Sequence, residues 1–222
     1  SYSRVFIYLA LTPYPPMNQS SLFGINLSQY RLNLLPMDGS AQYLPELMSA
    51  EESISLFNQL QKSLRWDADQ VMMFGKLVTT RRKVAWIGDP ECAYTYSGVK
   101  KSPQAWTPEL LSIKTQLEEL TQTEFNSCLL NFYHDGNDGM GWHSDDEKML
   151  EKNGAIASLS FGAERKFAFK HKQSKQTVSL ALAHGSLLVM KDTTQANWLH
   201  RLPPTTKIST PRVNLTFRTI VV

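Results

Sequence analysis

The chain has 222 residues, of which 42% are hydrophobic and 19% are charged, and its formal net charge is +3. This composition is typical of a folded globular protein and excludes extended disorder over the whole chain. The small net charge gives little support, taken alone, to a nucleic-acid partner. Two cysteines, Cys92 and Cys128, are too few for a disulfide framework, so we expect a reducing compartment inside the cell.

The N-terminal region contains no predicted membrane span. Its apolar run at residues 5–11 is too short to cross a bilayer and is followed by Pro13, Pro15 and Pro16. We therefore expect no membrane contact. Residues 1–45 are interpreted as an extension, and residues 46–222 as a single domain.

Two amphipathic helices are predicted ahead of the strand-rich region. Ser49 and Glu52 form an S-x-x-E capping box before the first helix. The apolar residues that then recur at helical spacing are Ile54, Phe57, Leu60 and Leu64. Pro108 occupies the favoured first position of a second helix that extends to about Leu120. Both helices are interpreted as packing elements.

Short strands dominate the rest of the chain. They are predicted at residues 128–133, 155–161, 166–170, 177–182, 186–190 and 213–222, separated by turn signals at the spacing of a sandwich. The whole pattern predicts an α+β, mainly β fold: a β-sandwich or jelly roll buttressed by two helices.

A candidate metal site lies in the segment 141–147. His143 and Asp145 are two residues apart, so in an extended strand both side chains project to one face. His200 is the best candidate for a third ligand, and His184 is its rival. Two histidines and a carboxylate are the donor set of non-haem Fe(II) oxygenases. The spacing alone does not separate such a site from ordinary hydrogen-bonded polar residues.

A candidate anion site lies on the C-terminal strand. Arg212, Asn214 and Arg218 share one face, opposite the apolar residues at 213, 215 and 217. Asn131 and Tyr133 alternate in the same way on an earlier strand. Inward-facing guanidinium groups need an anion, and a dicarboxylate such as 2-oxoglutarate would satisfy both arginines. The alternative is an exposed edge strand whose arginines are solvated.

Six segments together resemble the AlkB family of DNA and RNA demethylases. They are N-F-Y at 131–133, H-S-D-D-E at 143–147, A-S-L-S-F-G at 157–162, H-G-S-L-L at 184–188, W-L-H at 198–200 and P-R-V-N-L-T-F-R at 211–218. Their order and spacing agree with the family over about residues 70–222. The similarity is greatest to members that repair 1-methyladenine and 3-methylcytosine in DNA.

The resemblance implies a double-stranded β-helix core at about 126–222 and a nucleotide-recognition lid at about 70–107. It implies these Fe(II) ligands: His143, Asp145 and His200. The residues implied to bind 2-oxoglutarate are Asn131, Tyr133, Arg212, Asn214 and Arg218. The residues implied to contact substrate are Met73, Phe74, Arg82, Tyr94, Tyr96, Asp146 and Glu147. The residues at 73–74 resemble a finger that enters the duplex, although they are equally well explained as core residues of a strand.

The activity implied by the resemblance is oxidative removal of methyl groups from a flipped base in single- or double-stranded DNA. A monomer would perform it, in the cytoplasm of a bacterium or the nucleus of a eukaryote. The same chemistry on RNA or on a protein side chain, and a catalytically inactive nucleic-acid-binding module, are the alternatives. The implied phosphate contacts are Arg165, Lys166, Lys170, Lys172 and Lys175, although charge runs usually form solvated faces.

Overall fold

The computed structural model describes residues 30, 32–73, 76–96 and 99–221. The α-helices with bounds in these ranges are α1 (Ala50–Ser63), α2 (Pro108–Thr121) and the single-turn α3 (Thr194–Asn197), and a short 3-10 helix spans Pro90–Cys92. The first strands are β1 (Ser40–Leu44), β2 (Asp67–Met73), β3 (Lys76–Gly88), β4 (Tyr94–Tyr96), β5 (Val99–Lys101), β6 (Ser127–Tyr133) and β7 (Met140–His143). The later strands are β8 (Ile156–Gly162), β9 (Arg165–His171), β10 (Thr177–Leu182), β11 (Ser186–Lys191), β12 (Trp198–Leu202) and β13 (Arg212–Arg218).

Eleven of these strands form the two antiparallel sheets of a jelly roll, and β4 and β5 pair with each other as a separate two-stranded sheet. The larger sheet has the order β1-β11-β8-β13-β6-β3-β2, and the smaller one has the order β10-β9-β12-β7. From β8 to β13 the chain passes repeatedly from one sheet to the other, which is the winding of a double-stranded β-helix. Strand β1, from the N-terminal region, pairs with β11 and extends the larger sheet.

The two long helices begin where their capping residues predict. Ser49 and Glu52 make both hydrogen bonds of the capping box at α1, and the Thr107 side chain accepts a hydrogen bond from the Leu110 amide at α2. Their buried faces pack on the outer side of the larger sheet. Ile54 is an exception to the predicted stripe, since it is 53% exposed, whereas Leu56 is buried.

Two apolar layers hold the sandwich together. One lies between the larger sheet and helices α1 and α2, and it contains Val213, Leu215 and Phe217 of β13. The other lies between the two sheets and includes Phe169 and Trp198. Alternation along β13 therefore directs its polar side chains into the space between the sheets. In the described part of the chain, no helix has both the length and the apolar character needed to cross a membrane.

Candidate active site

The three predicted metal ligands lie together at the edge of the smaller sheet. His143 ends β7, Asp145 follows it, and His200 lies directly opposite His143 in the register of β7 and β12. One ligand atom from each of the three residues lies within 4.8 Å of the others. The Nε2 atoms of His143 and His200 are 3.7 Å and 3.9 Å from Asp145 Oδ1. The fold thus brings His200 next to two residues that precede it by 55 and 57 positions in the sequence.

The rival ligand His184 lies outside this cluster. Its Nδ1 accepts a hydrogen bond from the Gly162 amide at 2.8 Å, and its ring makes edge contacts with Phe57 and Phe161. Burial lowers the pKa of His184. These contacts are those of a structural histidine, in agreement with the preference for His200.

Both clustered imidazoles present a nitrogen that can bind a cation. His143 Nδ1 lies 2.8 Å from the Gly141 carbonyl oxygen, which favours the proton on Nδ1 and leaves the Nε2 lone pair free. Burial lowers the pKa of His200 to about 4, against the opposing charge of Asp145, so this ring is neutral at pH 7. Two imidazole nitrogens and a carboxylate suit Fe(II), so the donor set present fits that metal.

Asp145 is held in place by two further contacts. Arg218 Nη2 lies 3.2 Å from Asp145 Oδ2, and the Asp145 amide donates to Gln195 Oε1 at 2.9 Å. Burial alone would raise the pKa of the Asp145 carboxyl, but the positive charge of Arg218 and the electrostatic effects of His200 and His143 outweigh burial and lower it. The carboxylate is therefore ionised, with Oδ1 directed towards the two histidines.

A cavity of about 170 Å³ opens between the sheets in front of the histidines. The predicted 2-oxoglutarate residues all line it: Asn131, Tyr133, Arg212, Asn214 and Arg218. Strand pairing explains why these side chains lie close together, because Arg212 lies opposite Tyr133 and Asn214 lies opposite Asn131 in the register of β13 and β6. Strand β13 lies between β6 and β8, so the alternative of an exposed edge strand is wrong.

Arg212 is a buried cation with no carboxylate partner among the described residues. It is 2% exposed, its Nη2 donates to Ser160 Oγ at 2.9 Å, and its guanidinium lies 5.2 Å from the centre of the Tyr133 ring. Its Nε makes no hydrogen bond. Burial lowers the pKa of Arg212 to about 10, which still leaves it charged at pH 7. A buried unpaired cation is costly, so the cavity suits an anion such as a carboxylate of 2-oxoglutarate.

Sequence reasoning gave no role to two serines that support this cavity. Ser160 binds Arg212, and Ser158 Oγ accepts a hydrogen bond from Asn214 Nδ2 at 2.8 Å. The alternation of polar and apolar residues at 158–160 was a usable signal, since it places both serines on one face of β8. Gln195 was also missed, and its position in the single turn of α3 offered no pattern to detect.

The predicted phosphate-binding run divides into buried and accessible members. Arg165 is 1% exposed, and its guanidinium donates to the backbone carbonyls of Asp135, Gly136, Asp138 and Pro203. The predicted phosphate contact is therefore wrong for Arg165, which fastens two loops to β9.

Lys172, another member of that run, is engaged within the protein. Its Nζ donates to the Gln195 carbonyl at 2.9 Å and to Ser144 Oγ at 3.2 Å, and it lies 3.9 Å from Asp146 Oδ2. Gln195 and Lys172 together fasten the loop at 144–147 to α3 and to the turn after β9. We call this set of contacts the loop latch.

The residues predicted to contact substrate are distributed around the cavity. Glu147 lines it, and Asp146 is an exposed neighbour that lines a second cavity of about 390 Å³, to which Asp145 and Glu147 also contribute. Arg82 on β3 is 8% exposed, pairs with Asp69 on β2, and lies 5.9 Å from the Tyr133 ring centre.

Three other predicted contacts are only partly covered by the structure, and a fourth is not covered. The backbone places Met73 at the end of β2, and Tyr94 and Tyr96 on β4, but their side chains are outside the described part of the chain. Phe74 lies wholly outside the described residues.

Comparison with known proteins gives consistent matches. The profile of the 2OG-Fe(II) oxygenase superfamily matches residues 40–218. The chain is 41% identical over 186 residues to the DNA oxidative demethylase ALKBH2 of Bos taurus, across 79% of this chain and 67% of that protein. It is 39% identical over 202 residues to the alpha-ketoglutarate-dependent dioxygenase alkB homolog 3 of Mus musculus, across 86% of this chain and 70% of that protein. A solved structure of OsALKBH1 aligns with a TM-score of 0.58 at 16% identity, covering 81% of this chain and 97% of that one, which supports the fold.

Proposed function

This chain belongs to the 2OG-Fe(II) oxygenase superfamily and, within it, to the AlkB family, and from that membership we propose that it demethylates 1-methyladenine and 3-methylcytosine in DNA. It is an Fe(II)- and 2-oxoglutarate-dependent dioxygenase. The proposed oxidation consumes O₂ and 2-oxoglutarate, yields succinate and CO₂, and hydroxylates the N-methyl group, which leaves as formaldehyde. The observation that carries the proposal is that the His-Asp-His cluster and the unpaired Arg212 share one cavity.

The proposed roles of the cavity residues follow from their charge and position. His143, Asp145 and His200 would hold Fe(II). Arg212 would bind the distal carboxylate of 2-oxoglutarate, because its guanidinium is charged, buried and without a carboxylate partner in the described chain. The residues that would complete the pocket are Asn131, Tyr133, Asn214 and Arg218. Arg218 would also keep Asp145 Oδ1 turned towards the metal by holding Oδ2.

Asp146 and Glu147 would select the damaged base by charge. Methylation of the ring nitrogen makes adenine or cytosine cationic, and a nearby carboxylate stabilises a cation over a neutral ring. Both acids are exposed beside the cavity that holds the metal ligands. We expect Asp146→Asn to reduce the preference for methylated over unmethylated oligonucleotides, with less effect on metal affinity.

Competition binding of methylated and unmethylated oligonucleotides measures the base preference, and Mn(II) titration measures the metal affinity. Asp192→Asn is a matched control, because Asp192 is an exposed acid in the turn before α3. Equal losses of base preference and of metal affinity in Asp146→Asn would contradict the assigned role.

Residues 70–107 would form the lid over the flipped base. The hairpin of β2 and β3 continues the larger sheet beyond β6, and Arg82 joins it to Tyr133 at the cavity. Within this lid, Tyr94 and Tyr96 would stack on the base, and Met73 and Phe74 would replace it in the duplex.

Formaldehyde release tests the proposed activity. The substrates are duplex DNA, single-stranded DNA and RNA oligonucleotides that carry 1-methyladenine or 3-methylcytosine. Release of formaldehyde from DNA supports the proposal. Release from RNA alone would show that the substrate is RNA and not DNA. No release from any of them would reject the proposal. A catalytically inactive module is excluded if anaerobic Fe(II) and 2-oxoglutarate give a charge-transfer absorption that His143→Ala abolishes.

A monomer would be sufficient for this activity, because all the residues assigned to the metal and to 2-oxoglutarate come from one chain. A DNA substrate would place the protein in the cytoplasm of a bacterium or in the nucleus of a eukaryote.

A further inference from the structure

A short segment that leads into β1 lies against the single turn α3. It comprises residues 37–40, and we call it the strap. The indole Nε1 of Trp198 donates a hydrogen bond to the Met37 carbonyl oxygen at 3.0 Å, and the Ser40 amide donates to Thr194 Oγ1 at 2.8 Å. The strap is therefore held at both of its ends by residues in α3 or directly after it.

Thr194 packs directly against the strap. Its side chain is buried, and its hydroxyl, which accepts the bond from Ser40, lies 2.6 Å from the Lys191 carbonyl oxygen and donates to it. A Cβ atom added at Gly39 would lie only 2.7 Å from Thr194 Oγ1 and 2.9 Å from Thr194 Cα. Only a glycine allows this close approach, so the backbone of the strap rests on the turn itself.

A second anchor joins the strap to the turn after β9. Asp38 Oδ2 lies 3.1 Å from His171 Nε2, and His171 Nδ1 accepts a hydrogen bond from the Ser174 amide at 3.0 Å. Because Nδ1 is an acceptor, the imidazole proton is on Nε2, and His171 donates it to Asp38. His171 is buried, which makes this contact a fixed attachment of the strap.

The two anchors coincide with the two ends of the loop latch. Thr194 directly precedes Gln195, and His171 directly precedes Lys172. Gln195 and Lys172 in turn hold the loop at 144–147. The strap and the loop that carries a metal ligand are therefore attached to the same two short segments.

We propose that the strap positions the metal site, and that Thr194 is a positioning residue that acts on Asp145 through Gln195. This inference rests on the proposed metal ligands, and it adds residues from the N-terminal region to the support of the site. The Asp145 amide is bonded to Gln195 Oε1, so a shift of α3 moves the carboxylate relative to His143 and His200. Supporting contacts of this kind influence metal affinity because they fix the orientation of the ligand atoms.

Titration of the metal-free protein with Mn(II) tests the proposal without catalysis. Thr194→Val keeps the shape of the side chain but removes the acceptor of the Ser40 amide. We expect Mn(II) affinity to fall about tenfold, the lower limit of the effect of supporting residues. Thr194→Ser keeps the hydroxyl and should retain the affinity of the unmodified chain. Thr177→Val, at an exposed threonine that begins β10, is the matched control and should also retain it.

A double-mutant cycle separates positioning from a general loss of stability. If Thr194 acts through Gln195, Thr194→Val should change the Mn(II) affinity of Gln195→Leu by less than about twofold, because the contact that transmits the effect is already absent. An equal loss of affinity in both backgrounds, or an unchanged affinity in Thr194→Val, would overturn the proposal.

A second variant keeps the test decisive if Thr194→Val does not fold. Asn197→Ala removes the hydrogen bond that Asn197 Nδ2 donates to the Asp38 carbonyl oxygen at 3.3 Å, and it should weaken Mn(II) binding in the same direction. Unchanged Mn(II) affinity in Asn197→Ala would then count against the strap. Mn(II) binding that His143→Ala abolishes tests the metal ligands, and formaldehyde release by the unmodified protein tests the proposed function, each independently of the strap.

Discussion

At the scale of single residues, two of the buried arginines, Arg165 and Arg212, have opposite relations to their surroundings. Arg165 satisfies its charge with four backbone carbonyls, whereas Arg212 has one serine and the face of an aromatic ring. Both are almost inaccessible to solvent. Arg165 is therefore a structural cross-link, and Arg212 is prepared for a ligand.

Replacement of Arg212 by Met should separate ligand binding from stability. We expect 2-oxoglutarate affinity to fall at least about 100-fold, because charge-assisted hydrogen bonds to the carboxylate are lost. The ligand-free protein should unfold at an equal or higher denaturant concentration, because an uncompensated buried charge is removed. Calorimetric titration and urea denaturation measure the two effects. An unchanged affinity would contradict the assignment of this cavity to 2-oxoglutarate.

Replacement of Arg165 by Met should have the opposite effect on stability. Loss of the guanidinium leaves the four buried carbonyl contacts unmade, and we expect the free energy of unfolding to fall by at least about 3 kcal/mol. Lys166→Met is the matched control, since Lys166 is the exposed neighbour on the same strand. Similar urea denaturation curves for the two variants would show that Arg165 is not a cross-link.

At the scale of elements, the loop latch connects the metal ligands to α3. The loop at 144–147 is irregular, yet it carries Asp145 and the two acids proposed to recognise the base. Gln195 fixes the Asp145 amide from one side, and Lys172 reaches Ser144 and Asp146 from the other. The precision of this loop therefore depends on residues about 30 to 50 positions away.

Replacement of Gln195 by Leu should weaken metal binding. The change leaves the Asp145 amide without its acceptor, and supporting residues of this kind typically contribute 10- to 100-fold to metal affinity, so we expect a loss of about that size. Mn(II) titration by calorimetry measures it. Gln116→Leu on α2 is the control and should retain full affinity. Full affinity in Gln195→Leu would show that Arg218 alone is sufficient to position Asp145.

The sequence predicted those elements whose signal is local. Capping residues defined α1 and α2, and period-two alternation correctly directed Arg212 and Asn214 towards the interior. The loop latch could not be predicted, because its hydrogen bonds join segments that meet only in the folded sandwich. The predicted phosphate contact of Arg165 was wrong for a related reason. A cation in a charge run gives no sequence signal of burial, because its carbonyl partners come together only in the folded protein.

At the scale of the whole molecule, burial of His200 links stability to pH. The ordinary pKa of 6.5 is lowered to about 4 in the folded protein, so the unfolded chain takes up a proton first as pH falls. Stability that is present above about pH 6.5 is therefore lost progressively down to about pH 4, by up to about 3 kcal/mol. The lowered pKa of Asp145 acts in the same direction at more acidic pH.

Urea denaturation of the metal-free protein at several pH values measures this effect. In His200→Gln the decrease in stability between pH 7 and pH 4 should be smaller than in the unmodified chain. An equally steep decrease in both proteins would assign the pH dependence to other groups.

The register that places His143 opposite His200 has a consequence for how the domain opens. Among the described strands, β7 has a hydrogen-bonded neighbour on one side only, and its pairing with β12 contains an irregularity. An ion bound by both histidines would hold β7 against β12. Metal binding would therefore oppose local unfolding of β7, and tighter binding would mean less frequent opening of this edge strand. Removal of the metal by a chelator should then increase local unfolding first at β7, while the hydrogen bonds that join β8, β13 and β6 remain intact.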